Sequence, residues 1–356
     1  MKFKFSRCAL LAVVTGAISQ STILVARGFT NIAPTSQYNQ TTISSIVASK
    51  PAPKPSSNMV LPVTGTKMKQ GSNVERAKEA MFREGDYVKA KQYLNSALKT
   101  EPNEPLTYAM NTLYPFSAGD YESVRDYGEK TTKAAERLMK TNPLRGNLYQ
   151  GVGLAILSAY ELKKANGGAL GALSKLQKVF EYIDKAKKID SNNSELNLIK
   201  GYMDLLLAVN VPFSDTNQAI EQLQGAQPRY LALRGMYIGH RDLKEYDRAN
   251  TAIDAARKIA PQNPELTYYK AQLLAIRGRE KNNEAELKES IKLFEVAYKG
   301  RDRLLLLTIS QILSERCQAK AALSKTSSAT CYGFEAKLKR DNPNLVVGLT
   351  KLPPLN

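Results

Sequence analysis

From residue 74 onward, apolar residues recur every three or four positions, and the runs are interrupted by Gly, Asn, Asp or Pro. That period belongs to one face of an α-helix, not to the alternation of a half-buried strand. Over residues 74–102, Ala77 and Met81 sit one turn apart, Gly85 breaks the run, and a second run passes through Ala90, Leu94 and Ala97 to a stop at Pro102 and Asn103. The pattern predicts a helical hairpin, with small residues where the two axes approach and larger ones filling the groove between them. The chain beyond it reads as all-α.

The hairpin is repeated. Gly85-Asp86-Tyr87 returns as Gly119-Asp120-Tyr121, 34 residues later. Ile183-Asp184-Lys185-Ala186-Lys187-Lys188-Ile189, followed by Asn193, Glu195 and Leu196, returns 70 residues later as Ile253-Asp254-Ala255-Ala256-Arg257-Lys258-Ile259, followed by Asn263, Glu265 and Leu266. A period in the thirties marks stacked supersecondary units, each burying its apolar face against its neighbours. On these residues the chain resembles the tetratricopeptide repeat, whose helix pairs stack into a right-handed superhelix, and in layout it looks like the secreted bacterial members of that family, including a cyanobacterial group.

Carried along the chain, the pattern gives about six degenerate units over residues 73–302. The second holds Tyr108, Gly119 and Tyr121, with Pro115 inside its first helix. The third holds Tyr149, Gly153, Val179, Ile183 and Ala186, with an insertion over 163–174. The fourth holds Gly201, Ala219, Leu223 and Ala226, with an insertion over 211–213. The fifth runs through Met236, Tyr246, Ala249, Ile253 and Ala256 to Pro261. The sixth holds Ala271, Leu274, Ser290, Phe294 and Ala297, with a polar insertion over 277–286. Residues 303–356 then read as a capping helix, ending near Leu323, a short helix near 333–339, and a Pro-ended tail; the polar residues within the cap argue against a membrane span.

The amino end is different in kind. Lys2, Lys4 and Arg7 precede an apolar run over 9–18, with small residues at Ala26 and Gly28, so residues 1–28 read as a secretory signal, cleaved or kept as an anchor. Residues 29–72 are rich in Ser, Thr, Asn, Gln and Pro, with Pro51, Pro53 and Pro55 on alternate positions, and read as a disordered linker. The net charge is +18, and no acidic residue occurs before Glu75.

Chemistry is sparse. One His and three Cys leave little room for triads or metal centres. No cofactor-binding motif occurs, and His240 falls at a packing position, so the reading is non-enzymatic. With the signal removed only Cys317 and Cys331 remain, and an oxidising compartment favours their pairing over two free thiols. A loop of about 15 residues closed in this way stabilises by roughly 3 kcal/mol. The densest basic stretch carries Arg316, Lys320, Lys325, Lys337, Lys339 and Arg340, a second candidate surface for anionic lipid, polysaccharide or nucleic acid; export argues against the last.

The resemblance implies a ligand on the concave surface lined by first helices. Its residues there are Leu106, Met110, Leu113 and Phe116; Leu154 and Leu157; Leu198 and Tyr202; Arg234, Ile238 and Arg241; and Tyr268 with Gln272. A surface more apolar than charged suits an amphipathic helix or an extended segment with large side chains. Glu75 and Glu79 stand where the family's chaperone-tail clamp needs Lys and Asn, so no such clamp is expected. The expected function is an exported interaction scaffold for an unidentified protein or peptide segment, working in the periplasm or another extracytoplasmic space and near a membrane if tethered. It would assist assembly of an envelope or membrane complex.

Overall fold

The computed structural model describes residues 72–163, 168–210 and 216–349. The expected signal at 1–28, and all but the last residue of the expected linker, lie outside the described residues, as does the end of the tail. Among the described residues the structure is helical, and β-pairing is limited to one antiparallel bridge between Leu305 and Val347.

The helices follow one another as antiparallel pairs. The first pair is α1 (Asn73–Lys78), which continues into a π-helical turn (Glu79–Glu84), and α2 (Tyr87–Thr100). In the second, α3 (Pro105–Asn111) and α4 (Leu113–Ala118) face α5 (Tyr121–Leu138). Then α6 (Pro143–Lys163) packs with α7 (Gly168–Ile189), and α8 (Ser194–Asn210) with α9 (Thr216–Gln224). The last two pairs are α10 (Arg229–Asp242) with α11 (Tyr246–Ile259), and α12 (Pro264–Glu280) with α13 (Glu284–Lys299). The final long helix, α14 (Leu306–Leu323), lies against α12 and α13, and after a 3-10 turn (Ala329–Cys331) α15 (Phe334–Asp341) packs on α14. No helix of the described residues is long and apolar enough to cross a membrane.

The packing follows from the residues. Ala90, Ala97, Ala186, Ala256 and Ala297 are fully buried on second helices, where a small side chain lets two axes approach. Ile183 and Ala186 on α7 are buried as Ile253 and Ala256 are on α11, so the sequence match at 70 residues marks equivalent packing positions. The starts are capped by side chains: Asp86 accepts from Lys89 N (2.8 Å), Asp120 from Ser123 N (3.1 Å), and Asn193, Asn263 and Asn283 each accept from two backbone amides of the helix that follows.

Three expectations need correction. Pro115 does not sit inside a continuous first helix; the helix divides at Thr112, which places Pro115 in the first turn of α4, where no intrahelical N–H bond is lost. The stretch 277–286 is not an insertion but the extended end of α12, a tight turn with Asn282 at φ 51°, and the start of α13. Much of 163–174 likewise belongs to a lengthened α7.

The ends of the stack meet. Gly85, at φ 67°, turns the first pair against the start of α12 so closely that a Cβ there would lie 2.5 Å from Asn263 Oδ1 and 2.8 Å from Pro264. Asn263 Nδ2 donates to Phe82 O (3.0 Å), Tyr87 N donates to Arg303 O (2.9 Å), and the Tyr87 hydroxyl donates to Glu265, 178 residues away (2.9 Å). The chain then returns beyond α15: Leu306 N donates to Val346 O (2.9 Å), Gly348 N to Leu304 O (3.0 Å) and Leu349 N to Arg301 O (3.1 Å). The first pair therefore closes onto the last units instead of standing at a free end.

Candidate functional site

The inner face of α10, α12 and α14 carries a continuous polar and aromatic network. Arg234 reaches Glu265 (3.0 Å) and the Tyr269 hydroxyl (2.9 Å), with its guanidinium 5.1 Å from the Tyr269 ring centre. The Tyr237 hydroxyl shares its one proton between Tyr269 O (2.9 Å) and Gln272 Oε1 (3.0 Å), and the latter also accepts from Arg241 (2.8 Å). The other end of the Gln272 amide donates to the Tyr268 hydroxyl (2.9 Å) and to Glu315 (3.0 Å), and Tyr268 itself donates to Glu315 (2.9 Å). Arg241 is held in addition by Asp242 (2.7 Å).

Burial sets the electrostatics. Arg234 and Glu265 are only 2% and 3% exposed, so neither charge is stable there without the other. Burial opposes the Arg234 charge, but Glu265 and the surrounding tyrosines outweigh it and keep the guanidinium protonated. Burial and then the Glu265 charge push the Tyr87 hydroxyl well up, so it stays a donor. Tyr269 is pushed up to about 12, by burial, with Arg234 opposing. Burial also raises the Glu315 carboxyl, against the hydrogen bonds from Tyr268 and Gln272.

A second cluster of the same design lies between α3, α6 and α8. Arg145 bridges Glu104 (3.0 Å) and Glu195 (2.9 Å), and the Tyr149 hydroxyl donates to Glu195 (2.6 Å). In both clusters an Arg of one first helix holds a Glu at the start of the next: Leu144-Arg145-Gly146 to Glu195, and Leu233-Arg234-Gly235 to Glu265. The chemistry is that of a fastening. Every acid has a donor, and every hydroxyl named here is spent on a neighbour.

The expected groove residues divide accordingly. Met110, Leu113, Phe116, Tyr202, Arg234, Ile238, Arg241, Tyr268 and Gln272 are buried, which corrects the expectation that they line an open concave surface. Two causes act: Arg234, Tyr268 and Gln272 are covered by the closure, through the first pair and α14, whereas Met110, Leu113, Phe116 and Tyr202 pack into the core between successive helices, Phe116 against Tyr121 and the Tyr202 hydroxyl on Leu231 O. Leu157 lies against α5 near Gly128, not on the inner face. Leu106, Leu154 and Leu198 are partly buried, packed against the core with some surface left exposed.

The basic stretch is also corrected. Arg316 is buried and paired with Glu295 (2.7 Å), Lys339 is paired with Glu335 (2.8 Å), and Arg340 lies 3.7 Å from Asp341. Lys320, Lys325 and Lys337 are exposed. Cys317 and Cys331 are joined in a disulfide with Cα atoms 5.3 Å apart. His240 is buried at the end of α10, its Nδ1 2.7 Å from Glu245. Among the described residues no three His, Cys, Asp or Glu side chains gather in a way that would hold a metal ion.

Tyr87, Tyr149, Glu195 and Glu265, visible in the sequence only as repeat positions, and Arg145 and Glu315 are members of these networks that the sequence did not mark as site residues. The repeated Asn-x-Glu-Leu at 193–196 and 263–266 was the available signal. Compared with known proteins, the chain matches no family model and no curated protein.

Proposed function

We propose that this protein is an exported, non-enzymatic scaffold of tetratricopeptide-like hairpins that holds a protein or peptide segment and assists assembly of an envelope or membrane complex. The observation that carries the reading is the division of the inner face. In the carboxyl half it is filled by the Arg234–Glu265 network, whereas α3, α6 and α8, though joined by the Arg145 cluster, keep partly exposed leucines at 106, 154 and 198. Docking is therefore assigned to the amino half, through apolar contact. The paired helices, the repeat of equivalent buried positions in α7 and α11, and a disulfide suited to an oxidising compartment all agree with the reading.

The test is capture by the full-length chain from the exported fraction, at low and at high salt, beside a Leu154→Asp/Leu198→Asp variant. A discrete protein retained at high salt by the wild type and lost by the variant is the expected result, because apolar docking is not screened. Retention of polyanions alone, all released by salt, overturns the reading and points to Lys325 and Lys337.

A further inference from the structure

We infer that the Cys317–Cys331 disulfide is a redox-sensitive latch for the ring closure: it positions α15 and the returning segment 345–349, and that segment wedges the first helix pair in place.

The observations form a chain from the sulfurs to the seam. The disulfide ties α14 to the 3-10 turn that leads into α15. The loop at 324–330 is mostly exposed and α15 buries Leu338 alone; beside the bond, the Ser314 hydroxyl donates to Cys331 O (2.7 Å), Thr326 N donates to Ala321 O (2.9 Å), and α15 packs on α14. Beyond α15 the chain runs back along the 301–306 turn, and Gly348, at φ 75°, lies between that turn and the first pair. A Cβ on Gly348 would fall 2.8 Å from Val88 Cγ2 and 2.9 Å from Asp302 O. Val88 follows Tyr87, whose N–H is bonded to Arg303 O and whose hydroxyl meets Glu265. The tail is thus bonded through its backbone to the 301–306 turn and wedged against the first pair by van der Waals contact, and the disulfide shortens the chain that must be ordered to keep it there.

The two sulfurs differ in access. Cys331 is 1% exposed, while Cys317 as a residue is partly exposed, and attack by an external dithiol is therefore assigned to Cys317 Sγ. Its thiolate bonds to Cys317 Sγ, and the sulfur–sulfur bond breaks with the electron pair leaving on Cys331, which takes up a proton. The second thiol of the reductant then displaces Cys317 as a thiol, so two electrons pass to the protein and the dithiol becomes a disulfide. With the tether gone, the tail and then the first pair are expected to loosen, while α10 and α12 stay packed.

Hydrogen exchange on the full-length protein, oxidised and after dithiothreitol, tests this. Reduction is expected to speed exchange by about tenfold or more at 343–349 and at 82–88, with the amides of 231–241 and 266–273 unchanged. A Cys317→Ser/Cys331→Ser variant should show the same pattern without reductant. Gly348→Ala, with the disulfide intact, should speed exchange at 82–88 by itself. Unchanged exchange at 343–349 on reduction overturns the latch. So does equal loss of protection throughout the chain, which would make the bond a global staple, and so does Gly348→Ala without effect at 82–88.

Discussion

Glycines 85 and 119 look alike in the sequence and hold the same place in successive hairpins, both in the left-handed region, yet their surroundings differ. Space around a Cβ at Gly119 is open, whereas at Gly85 it is filled by Asn263 and Pro264. Gly119→Ala is expected to cost about 1–2 kcal/mol, the conformational term alone. Gly85→Ala should cost about 1–3 kcal/mol more, from overpacking at the seam. Urea denaturation of the two variants gives the difference directly. Glu315 supplies a prediction in pH. A carboxyl raised by burial binds its proton more tightly in the folded state, so its contribution to stability is greatest at low pH and is lost as pH rises through the window between its ordinary and its raised value. The stability of the wild type relative to Glu315→Gln should therefore fall as pH is raised from about 4 to 7. A difference that stays flat across that range would show the Glu315 charge to be fully compensated in the fold.

At the scale of helices, caps do two kinds of work here. Asn283 caps α13 and its amide makes no contact across the seam, whereas Asn263 caps α12 and also satisfies the Phe82 carbonyl of the first pair. Asn283→Ala is expected to cost about 1 kcal/mol. Asn263→Ala should cost about 1–3 kcal/mol beyond that, because a buried carbonyl loses its donor. Thermal or denaturant melts of the pair measure the gap. The helices themselves were legible from sequence, since the period of Ala77, Met81, Ala90 and Leu94 and the Gly and Asn stops are local signals. Element ends were read less well where a helix simply ran on: Arg277 and Arg279 looked like an insertion because their charges interrupt the apolar stripe, yet both belong to α12. Local polarity does not end a helix: α12 runs on to Glu280, and the break comes only at Asn282 in the left-handed region, before Asn283 caps the next helix.

For the whole molecule, the feature that was not legible is the closure, and for the same reason the candidate surface was misread. A repeat pattern specifies how each unit meets its neighbour; it holds no information on whether unit one meets unit six. Arg234, Gln272 and Tyr268 lie on the inner face, but what covers them comes from distant chain: Glu315, 43 and 47 positions beyond Gln272 and Tyr268, and the first pair, whose Tyr87 meets Glu265 across 178 positions. The disulfide was legible because Cys317 and Cys331 are the two cysteines of the helical region, close together in sequence. Closure also changes how the stack should respond to mutation. In an open solenoid, units far apart are coupled only through those between them. Here a double-mutant cycle with Tyr87→Phe and Glu265→Gln should show coupling of about 1 kcal/mol or more across a separation of 178 residues. The single change Glu265→Gln should cost about 3–5 kcal/mol, since it strands the buried Arg234 charge.

The seam also imposes an order of events. A growing chain emerges from its amino end, so the hairpin around Gly85 is complete long before Asn263, Arg303 or Gly348 has been synthesised. During that interval Phe82 O, the Tyr87 hydroxyl and the face beside Val88 have none of their final partners. Contacts that join distant parts of a chain form late and leave their surfaces uncovered until then. A hairpin made early is thus among the last to be finished, and anything that shields a new chain from association would have to keep hold of it until the final helix arrives.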